Sequence, residues 1–366
     1  MQGAGHYLRI MDDTTTAASG ATESRKREHI DTVLDADVAA KGITTGFERY
    51  LFDHCALPEI SLDDVDLSTE LFGKSLAAPF LISSMTGGAA PARDINLKLA
   101  EAAQALGIAM GLGSQRAAIE RGELADTYRV RSVAPDILLF ANIGAVQLNK
   151  GYGVDEVRRA VEMIEADALF LHLNPLQEAV QAEGDRDWRG LLGKIETVVN
   201  GLSVPVVIKE VGNGISGKIA NALAEIGVAA IDVAGAGGTS WSEVEAHRQT
   251  DPMLRRIAHS FAGWGIPTAT ALTETREAVP GLPVFASGGI RSGIDAAKAV
   301  RLGADLCGTA APVLGSATDT AEAVFDTMTA FIEEMRIACF CTGAIDLEAL
   351  RRVGLRNMPD GSLIAG

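Results

Sequence analysis

The chain has 366 residues, of which 47% are hydrophobic and 5% aromatic, and its formal net charge is −16. So acidic a chain repels nucleic acid and anionic membranes, and so few aromatic residues do not suit a base-stacking surface. An anionic substrate must therefore bind where Arg and Lys residues cluster locally.

The sequence favours a cytoplasmic protein. No apolar run approaches the ~18 residues of a membrane-spanning helix, and the amino-terminal residues contain no apolar secretory segment. The four cysteines match no zinc or redox pattern, which is typical of a reducing compartment: Cys55, Cys307, Cys339 and Cys341. We expect neither a nucleic-acid nor a membrane partner.

The first 78 residues precede the predicted core. Residues 1–22 are small, polar and Thr-rich, which predicts a disordered tail. Residues 23–78 form a predicted extension over the mouth of the core domain. It opens with the most basic cluster of the chain, Arg25-Lys-Arg-Glu-His29, and short strands are expected around residues 62–71.

Eight short apolar runs alternate with helical patterns between residues 79 and 340. Such runs are typical of strands that are buried on both faces of a parallel sheet. Eight strand–helix units predict an α/β fold, a TIM (β/α)₈ barrel with an amino-terminal extension. The predicted strands are residues 79–86, 109–114, 137–144, 168–174, 205–212, 230–235, 283–289 and 305–310.

Helices are predicted at residues 96–106 and 292–302, each ended by Gly, and a last long helix at residues 320–337. The predicted barrel ends at residue 340. Residues 341–366 are predicted to be a carboxyl-terminal tail, which is loose from Arg351 or ordered only on oligomerisation.

Barrel enzymes build their active sites at the carboxyl ends of the strands. Gly288 and Gly289 end the seventh predicted strand, and their N–H groups and the next helix N-terminus suit a phosphate, with Arg291 to neutralise it. The alternative for these residues is a tight turn.

The fourth and fifth predicted strands end in reactive side chains. Lys209 ends an apolar strand, so it needs an anionic partner, which is either a flavin pyrimidine edge or a structural carboxylate such as Asp232 or Glu210. His172 suits a phosphate or substrate. Glu178 suits Mg²⁺ or, alternatively, is only the acidic residue at a helix start.

These strand-end residues resemble the type 2 isopentenyl-diphosphate isomerases over residues 25–315. Gly-Gly-Ile-Arg is shared by many FMN barrels, whereas Ser-Gln-Arg and His-Leu-Asn-Pro-Leu-Gln-Glu are much more specific. One departure, to which we assign no role, is His54-Cys55. The matching stretches are Arg25-Lys-Arg-Glu-His29, Ala56-Leu-Pro-Glu-Ile60, Ser83-Ser-Met-Thr-Gly-Gly88, Gly113-Ser-Gln-Arg116, Asn142-Ile-Gly-Ala-Val-Gln147, His172-Leu-Asn-Pro-Leu-Gln-Glu178, Val207-Ile-Lys-Glu-Val-Gly212, Asp232-Val-Ala-Gly-Ala-Gly-Gly-Thr-Ser-Trp241 and Ser287-Gly-Gly-Ile-Arg291.

The resemblance implies the roles of individual residues. Gln177 and His172 would serve the reaction, with Gln177 beside the isoprenyl carbons, and Glu178 would bind Mg²⁺. The substrate diphosphate would be held by Arg25, Lys26, His29, Ser114, Gln115, Arg116 and His172. FMN would be held by Ser84, Met85, Thr86, Ser114, Asn142, Lys209, Thr239, Gly289, Ile290, Arg291, Ala310 and Ala311.

The resemblance also implies the activity, which is a 1,3-allylic proton shift that converts isopentenyl to dimethylallyl diphosphate for isoprenoid synthesis. It implies reduced FMN as acid and base, NADPH as its reductant and Mg²⁺ as the diphosphate anchor. A homo-oligomer, either a tetramer or an octamer, is expected.

Three other readings of the residues remain open. An FMN barrel oxidoreductase of 2-hydroxy acids needs an inward His base, and no His follows the seventh predicted strand. An IMP-type dehydrogenase needs a nucleophilic loop Cys, whereas Cys307 lies within the eighth predicted strand. A non-catalytic flavin- or phosphate-binding regulator is the third.

Overall fold

The structure, a computed structural model, describes residues 28–358 and the backbone of residues 362–364. Eight parallel strands close into a barrel in chain order, with the eighth strand beside the first. The predicted (β/α)₈ barrel is therefore confirmed. We number its strands along the chain as β1 (Phe80–Ile82), β2 (Ala109–Gly111), β3 (Leu139–Gly144), β4 (Ala168–Leu173), β5 (Val206–Glu210), β6 (Ala230–Asp232), β7 (Val284–Ala286) and β8 (Leu306–Thr309).

Helices surround the barrel. The predicted helix 96–106 begins earlier, at Ala90, and ends at Gly107, whose φ of 63° suits a glycine at a helix end. The α-helices span residues 28–35, Ala90–Leu106, Arg116–Glu120, Val154–Met163, Pro175–Val180, Leu191–Gly201, Gly217–Glu225, Trp241–Arg248, Pro252–His259, Thr268–Ala278, Gly293–Arg301, Ala311–Asp319, Ala321–Thr342 and Leu347–Leu350. Short 3₁₀ helices span Phe47–Arg49, Leu62–Asp64, Gly122–Thr127 and Ala145–Lys150.

Most strands end earlier than predicted. Strand β1 ends at Ile82 instead of residue 86, and β6 ends at Asp232 instead of residue 235. The polar and glycine residues that follow leave the hydrogen-bonded ladder and turn into loops. Hydrophobic continuity alone therefore overestimates strand length, and the excess residues form the rim of the barrel.

The terminal segments pair with each other outside the barrel. Strand Tyr50–Phe52 pairs antiparallel with Leu355–Asn357, which pairs in turn with Ser362–Ile364. The prediction of a loose tail from Arg351 is wrong for these residues, because their main-chain groups complete a small sheet. The long helix Ala321–Thr342 also runs five residues past its predicted end.

The expected strands around residues 62–71 are only partly present. Residues Leu62–Asp64 form a 3₁₀ turn capped by the Ser61 hydroxyl. Strand Thr69–Leu71 forms a hairpin with Lys74–Leu76. Leu71 and Leu76 pack into the cluster of inward-facing barrel residues, so this hairpin closes the end of the barrel opposite to the strand carboxyl ends.

Aromatic rings fill the closed end of the barrel. The rings of Phe140 and Phe170 stack with centroids 4.3 Å apart, and Phe285 packs edge-on against both. All three side chains are fully buried. The barrel interior is therefore packed at this end, and an open space is left only towards the strand carboxyl ends.

Two arginines make the same set of contacts on opposite sides of the barrel. Arg131 donates to the Ile137 carbonyl at 2.9 Å and to Asp167 Oδ2 at 2.6 Å. The same Asp167 oxygen accepts the Leu139 N–H, 2.9 Å away, at the start of β3. Asp167 immediately precedes β4, so Arg131 joins the starts of two neighbouring strands.

Arg276 repeats this arrangement between β7 and β8. It donates to the Leu282 carbonyl at 2.8 Å and to Asp305 Oδ2 at 2.5 Å, and that oxygen accepts the Val284 N–H at 2.9 Å. Each arginine contacts the carbonyl six residues later, and its aspartate accepts the N–H eight residues later. The two strand pairs are four strands apart, which is half of the barrel.

We predict that Arg131→Met and Arg276→Met each lower the free energy of unfolding by about 3 kcal/mol. Each substitution roughly keeps the volume but leaves several carbonyl groups without their donor. It also removes one of the two cations that pair with the aspartate, since Lys74 also pairs with Asp167 and Arg351 with Asp305. Urea unfolding measures the change. Arg129→Met is the matched control, because Arg129 is mostly exposed and pairs with exposed Asp126, so it should change stability by less than about 0.5 kcal/mol. Equal losses in all three variants would contradict the prediction.

Candidate functional site

A cavity lies at the carboxyl ends of the strands, and all eight strand ends contribute residues to its lining. The helix at residues 28–35 adds His29, Ile30 and Val33 from the extension. Among the predicted site residues, those that line this cavity are His29, Ser84, Met85, Thr86, Ser114, Arg116, Asn142, His172, Gln177, Glu178, Lys209, Thr239, Gly289, Ile290, Arg291, Ala310 and Ala311.

Backbone N–H groups are accessible beside β7. Gly288 and Gly289 have φ values of 97° and 79°, which glycine adopts without strain. A Cβ atom on Gly288 would lie 2.1 Å from the Gly235 carbonyl oxygen, so the close approach of the two loops requires a glycine. The helix Gly293–Arg301 begins just beyond, and Arg291 lines the cavity. This arrangement suits a phosphate group.

Three buried hydroxyl groups after β1 face the cavity. Ser83, Ser84 and Thr86 have side-chain oxygens with no hydrogen-bond partner among the described residues. Buried polar groups normally have partners, so such groups at a cavity wall indicate a polar ligand. The donor set therefore fits a ligand that carries several hydrogen-bonding atoms.

Lys209 is held between protein acceptors and the cavity. Its Nζ donates to the Glu210 carbonyl at 2.8 Å and lies 3.6 Å from Asp232 Oδ2. The ion pair that we considered as the structural alternative is therefore present. Lys209 also lines the cavity, so both interpretations of its position are compatible.

The carboxylate of Glu210 points away from Lys209 into its own loop. Its Oε2 accepts the N–H groups of Val211, Gly212 and Asn213 at 2.5–2.8 Å. Burial raises the pKa of Glu210 to about 7 even though these three N–H groups favour the ionised form. The loop after β5, which supplies Val211 and Gly212 to the cavity wall, is thus fixed by one side chain.

His172 lies near the middle of the cavity wall. Its Nδ1 is 2.7 Å from Asn142 Oδ1, and its Nε2 would lie 3.0 Å from a Cβ atom on Gly144. The glycine therefore makes room for the ring. Asn142 orients the imidazole, so His172 is positioned on the strand ends for contact with a ligand.

Gln177 belongs to a buried network centred on Glu245. Its Nε2 donates to Glu245 Oε1 at 2.9 Å, and the same oxygen lies 3.0 Å from His29 Nε2. Arg248 donates to the other oxygen at 2.6 Å. Burial alone would raise the pKa of Glu245, but the hydrogen bond and charge of His29 and the charge of Arg248 lower it to about 2.

Glu178 lies beside Gln177 on the same short helix. One carboxylate oxygen accepts the Asp185 N–H at 2.6 Å and the other accepts Asn174 Nδ2 at 3.0 Å. The Asn174 Oδ1 atom is buried and has no hydrogen-bond partner among the described residues. In the described part of the chain no group of three or more His, Cys, Asp or Glu side chains could hold a metal. Glu178 and Asn174 fit a Mg²⁺ ion whose other ligands are phosphate oxygens and water.

Gln115 is not among the residues that line the cavity, and its predicted contact with the substrate stays a prediction. Gln115 is fully buried. Its Nε2 donates to the Ala160 carbonyl at 2.8 Å, and its Oε1 accepts the Asn142 N–H at 2.9 Å. The amide joins β3 to the neighbouring helix instead.

Arg116 lines the cavity, and its guanidinium is held by two carboxylates. It pairs at 2.8 Å with Glu120, one turn later on the helix, and at 3.6 Å with Asp185. Arg25 and Lys26 lie outside the described residues. In the described part of the chain no helix is long and apolar enough to cross a membrane.

Sequence reasoning missed Glu245 and Asp185. Glu245 follows the quoted Thr-Ser-Trp motif by four residues on the helix Trp241–Arg248, where an acidic residue is typical of an exposed helix face. The sequence around Glu245 does not indicate that its side chain is only 1% exposed. Asp185 accepts Lys150 at 2.8 Å and Gln147 at 3.2 Å in a loop with no distinguishing spacing.

The comparisons with known proteins agree with this geometry. Residues 18–127 and 160–357 match the family model described as FMN-dependent dehydrogenase. The chain is 62% identical over 341 residues to an isopentenyl-diphosphate delta-isomerase of Synechocystis sp., covering 93% of this chain and 98% of that protein. It is 61% identical to a protein of the same name from Stutzerimonas stutzeri, covering 92% of this chain and 97% of that protein.

Solved structures support the fold alone. A mandelate oxidase with an FMN adduct is 18% identical, with a TM-score of 0.60, and covers 96% of this chain and 99% of that chain. A flavocytochrome b2 with bound pyruvate is 19% identical, with a TM-score of 0.65, and covers 88% of this chain and 81% of that chain.

We predict that Glu245→Gln removes a pH-dependent contribution to stability. A carboxyl group whose pKa falls from 4.5 when unfolded to about 2 when folded stabilises the fold by about 3 kcal/mol above pH 4.5. This contribution is lost as the pH falls from 4.5 towards 2. Urea unfolding of both proteins should therefore show a stability gap at pH 7 that narrows below pH 4.5.

Glu243→Gln is the control, because Glu243 lies on the same helix but pairs with half-exposed His259 outside the cavity. A stability gap between wild type and Glu245→Gln that stays constant from pH 7 to pH 3 would contradict the assigned charge state.

Proposed function

The chain belongs to the FMN-dependent, type 2 isopentenyl-diphosphate delta-isomerases, and on that premise we propose that it converts isopentenyl diphosphate to dimethylallyl diphosphate. The observation that carries the proposal is the cavity in which the strand ends bring Lys209, His172, Gln177 and Glu178 together. Reduced FMN supplies an acid and base near the reacting carbons when bound.

The protein groups beside β7 and β8 suit the phosphate of FMN. Gly288 and Gly289 present N–H groups, the next helix contributes its N-terminus, and Arg291 neutralises charge. The hydroxyls of Ser84 and Thr86, which have no hydrogen-bond partner within the described part of the chain, suit the polar atoms of the cofactor. Lys209 would face the edge of the ring that carries negative charge.

A second set of groups suits the substrate diphosphate. Arg116 brings positive charge to the cavity, His172 and His29 bring imidazole nitrogens that can donate hydrogen bonds, and the basic cluster at Arg25 and Lys26 would add to them. Glu178 with Asn174 would hold Mg²⁺ against the phosphate oxygens. This anchor fixes the isoprenyl chain relative to Gln177.

The remaining cavity wall suits an isoprenyl chain. Ile30, Val33, Trp241 and Leu314 contribute apolar surface to the cavity. An apolar wall excludes water, which would otherwise capture the cation-like state of an allylic proton shift. Gln177, fixed by Glu245, would relay or assist the proton transfer at the double bond.

The geometry gives less support to a 2-hydroxy acid oxidase or an IMP-type dehydrogenase. His259 pairs with Glu243 and does not line the cavity, so it is not placed as the base of a 2-hydroxy acid oxidase. Cys307 is buried within β8, and burial raises the pKa of its thiol well above the usual range. It is therefore not placed as the nucleophile of an IMP-type dehydrogenase.

The proposal includes NADPH as the reductant of FMN and a homo-oligomer of four or eight chains. Support for contact between copies comes from exposed apolar side chains on the extension and on the segment packed against it. Leu57 is 74% exposed, Leu51 48% and Ile345 45%. Exposed apolar side chains of this size are found at interfaces between proteins.

The test of the activity is anaerobic incubation of the purified protein with FMN, NADPH, Mg²⁺ and isopentenyl diphosphate. We expect dimethylallyl diphosphate, detected by liquid chromatography and mass spectrometry. No product should form while the flavin is kept oxidised, and chelation of Mg²⁺ should reduce the rate. A protein that binds FMN but forms no product under any of these conditions would overturn the proposal and favour another FMN enzyme or a regulator.

We predict that Gln177→Leu lowers kcat by about 100-fold or more and leaves FMN occupancy nearly unchanged. The substitution keeps the side-chain size but removes the amide that contacts Glu245. Steady-state kinetics and flavin absorbance measure the two quantities. Gln104→Leu, on the outer helix Ala90–Leu106, is the control and should match the wild type. Parallel losses of kcat and FMN would argue against a role in the reaction.

A further inference from the structure

A buried carboxylate lies directly behind Lys209. Asp232, the last residue of β6, is fully buried, and its Oδ2 is 3.6 Å from Lys209 Nζ. The Ser287 hydroxyl donates to Asp232 Oδ1 at 2.6 Å. Lys209 lines the cavity and Asp232 does not, so the ammonium separates the carboxylate from the cavity.

Neither the Asp232 carboxylate nor the Lys209 ammonium has all of its hydrogen-bonding positions filled by described residues. Asp232 Oδ2 has no hydrogen-bond partner among the described residues. The Lys209 ammonium has three N–H donors, and the structure shows one of them bonded, to the Glu210 carbonyl. The Glu210 carboxylate is bonded to its own loop, which leaves Asp232 as the carboxylate that balances Lys209.

Lys209 and Asp232 carry opposite charges, so the pair has no net charge and forms a dipole. An isolated Lys209 would present a full positive charge to any group in the cavity, and its field would be strong because the surroundings have a low dielectric constant. With Asp232 behind it, most of that field is cancelled beyond the pair. Removal of Asp232 therefore increases the positive potential that a bound ligand experiences.

We infer that Asp232 is a positioning residue that holds Lys209 at the cavity wall and limits the positive charge that a bound flavin experiences. The inference rests on the proposed FMN site at Lys209. An anionic reduced flavin is stabilised by nearby positive charge, so the Lys209–Asp232 pair keeps this stabilisation moderate. A flavin that exchanges protons without net oxidation gains nothing from a strongly raised reduction potential.

The test compares the wild type with Asp232→Asn, which keeps the shape and removes the negative charge. We expect the midpoint potential of bound FMN to rise by about 30 mV, which corresponds to a tenfold shift of the two-electron equilibrium. The dissociation constant of sulfite, a probe that adds to oxidised flavin and creates negative charge on the ring, should fall about tenfold.

Two further variants separate this role from a structural one. In the Lys209→Met background, Asp232→Asn should change neither quantity appreciably, because a buried carboxylate without its cation takes up a proton. Ser287→Ala keeps both charges but removes a hydrogen-bond donor that disperses the negative charge of Asp232, so it should shift both quantities in the opposite direction and by less. This variant carries the test if Asp232→Asn does not fold.

The proposed FMN site and the role of Asp232 can be refuted separately. Wild-type protein that does not bind FMN would overturn the proposed cofactor site. FMN bound by the wild type and by Asp232→Asn with the same potential and the same sulfite affinity would overturn the inference alone. A similar shift in the presence and in the absence of Lys209 would show that Asp232 does not act through Lys209, and would also overturn it.

Discussion

Closure of eight parallel strands into a barrel is the constraint on which the rest of the structure depends. The strands are buried on both faces, so their interiors admit almost exclusively apolar side chains. At one end the space is filled by Phe140, Phe170 and Phe285 and closed by a hairpin. Inside the barrel, polar groups can therefore gather only where the strands stop, and all eight stop at the same rim. The chemistry of the protein is confined to that rim by packing.

This constraint explains how much the sequence could predict. Apolar runs and their glycine ends indicated eight strands, and the rule that barrel sites lie at strand carboxyl ends then selected the residues to examine. His172, Lys209 and Arg291 are brought together in one cavity although up to 119 positions separate them in the numbering. No side-chain contact had to be known for this, because the topology alone brings strand ends together.

What the sequence could not predict depends on side-chain direction and on contacts between distant segments. Gln115 lies between two residues that line the cavity, yet its amide turns away and joins Asn142 to Ala160. The strand Leu355–Asn357 pairs on one side with Tyr50–Phe52, about 300 residues earlier, and no local pattern indicates this partner. Arg131 and Arg276 each lie four residues before a proline, Pro135 and Pro280. This spacing alone does not reveal that the two arginines contact Asp167 and Asp305.

The network around Glu245 shows how the extension becomes part of the site. His29 comes from the extension and Gln177 from the helix after β4, and both contact the same carboxylate oxygen. Arg248 gives Glu245 one cation, and His29 gives it a second partner from the extension. His29 therefore contributes to the hydrogen bonds around the carboxylate that orients Gln177. Because that carboxylate has only 1% of its side chain exposed, protein groups rather than solvent surround it. The position of the extension and the orientation of Gln177 are thus coupled through one buried group.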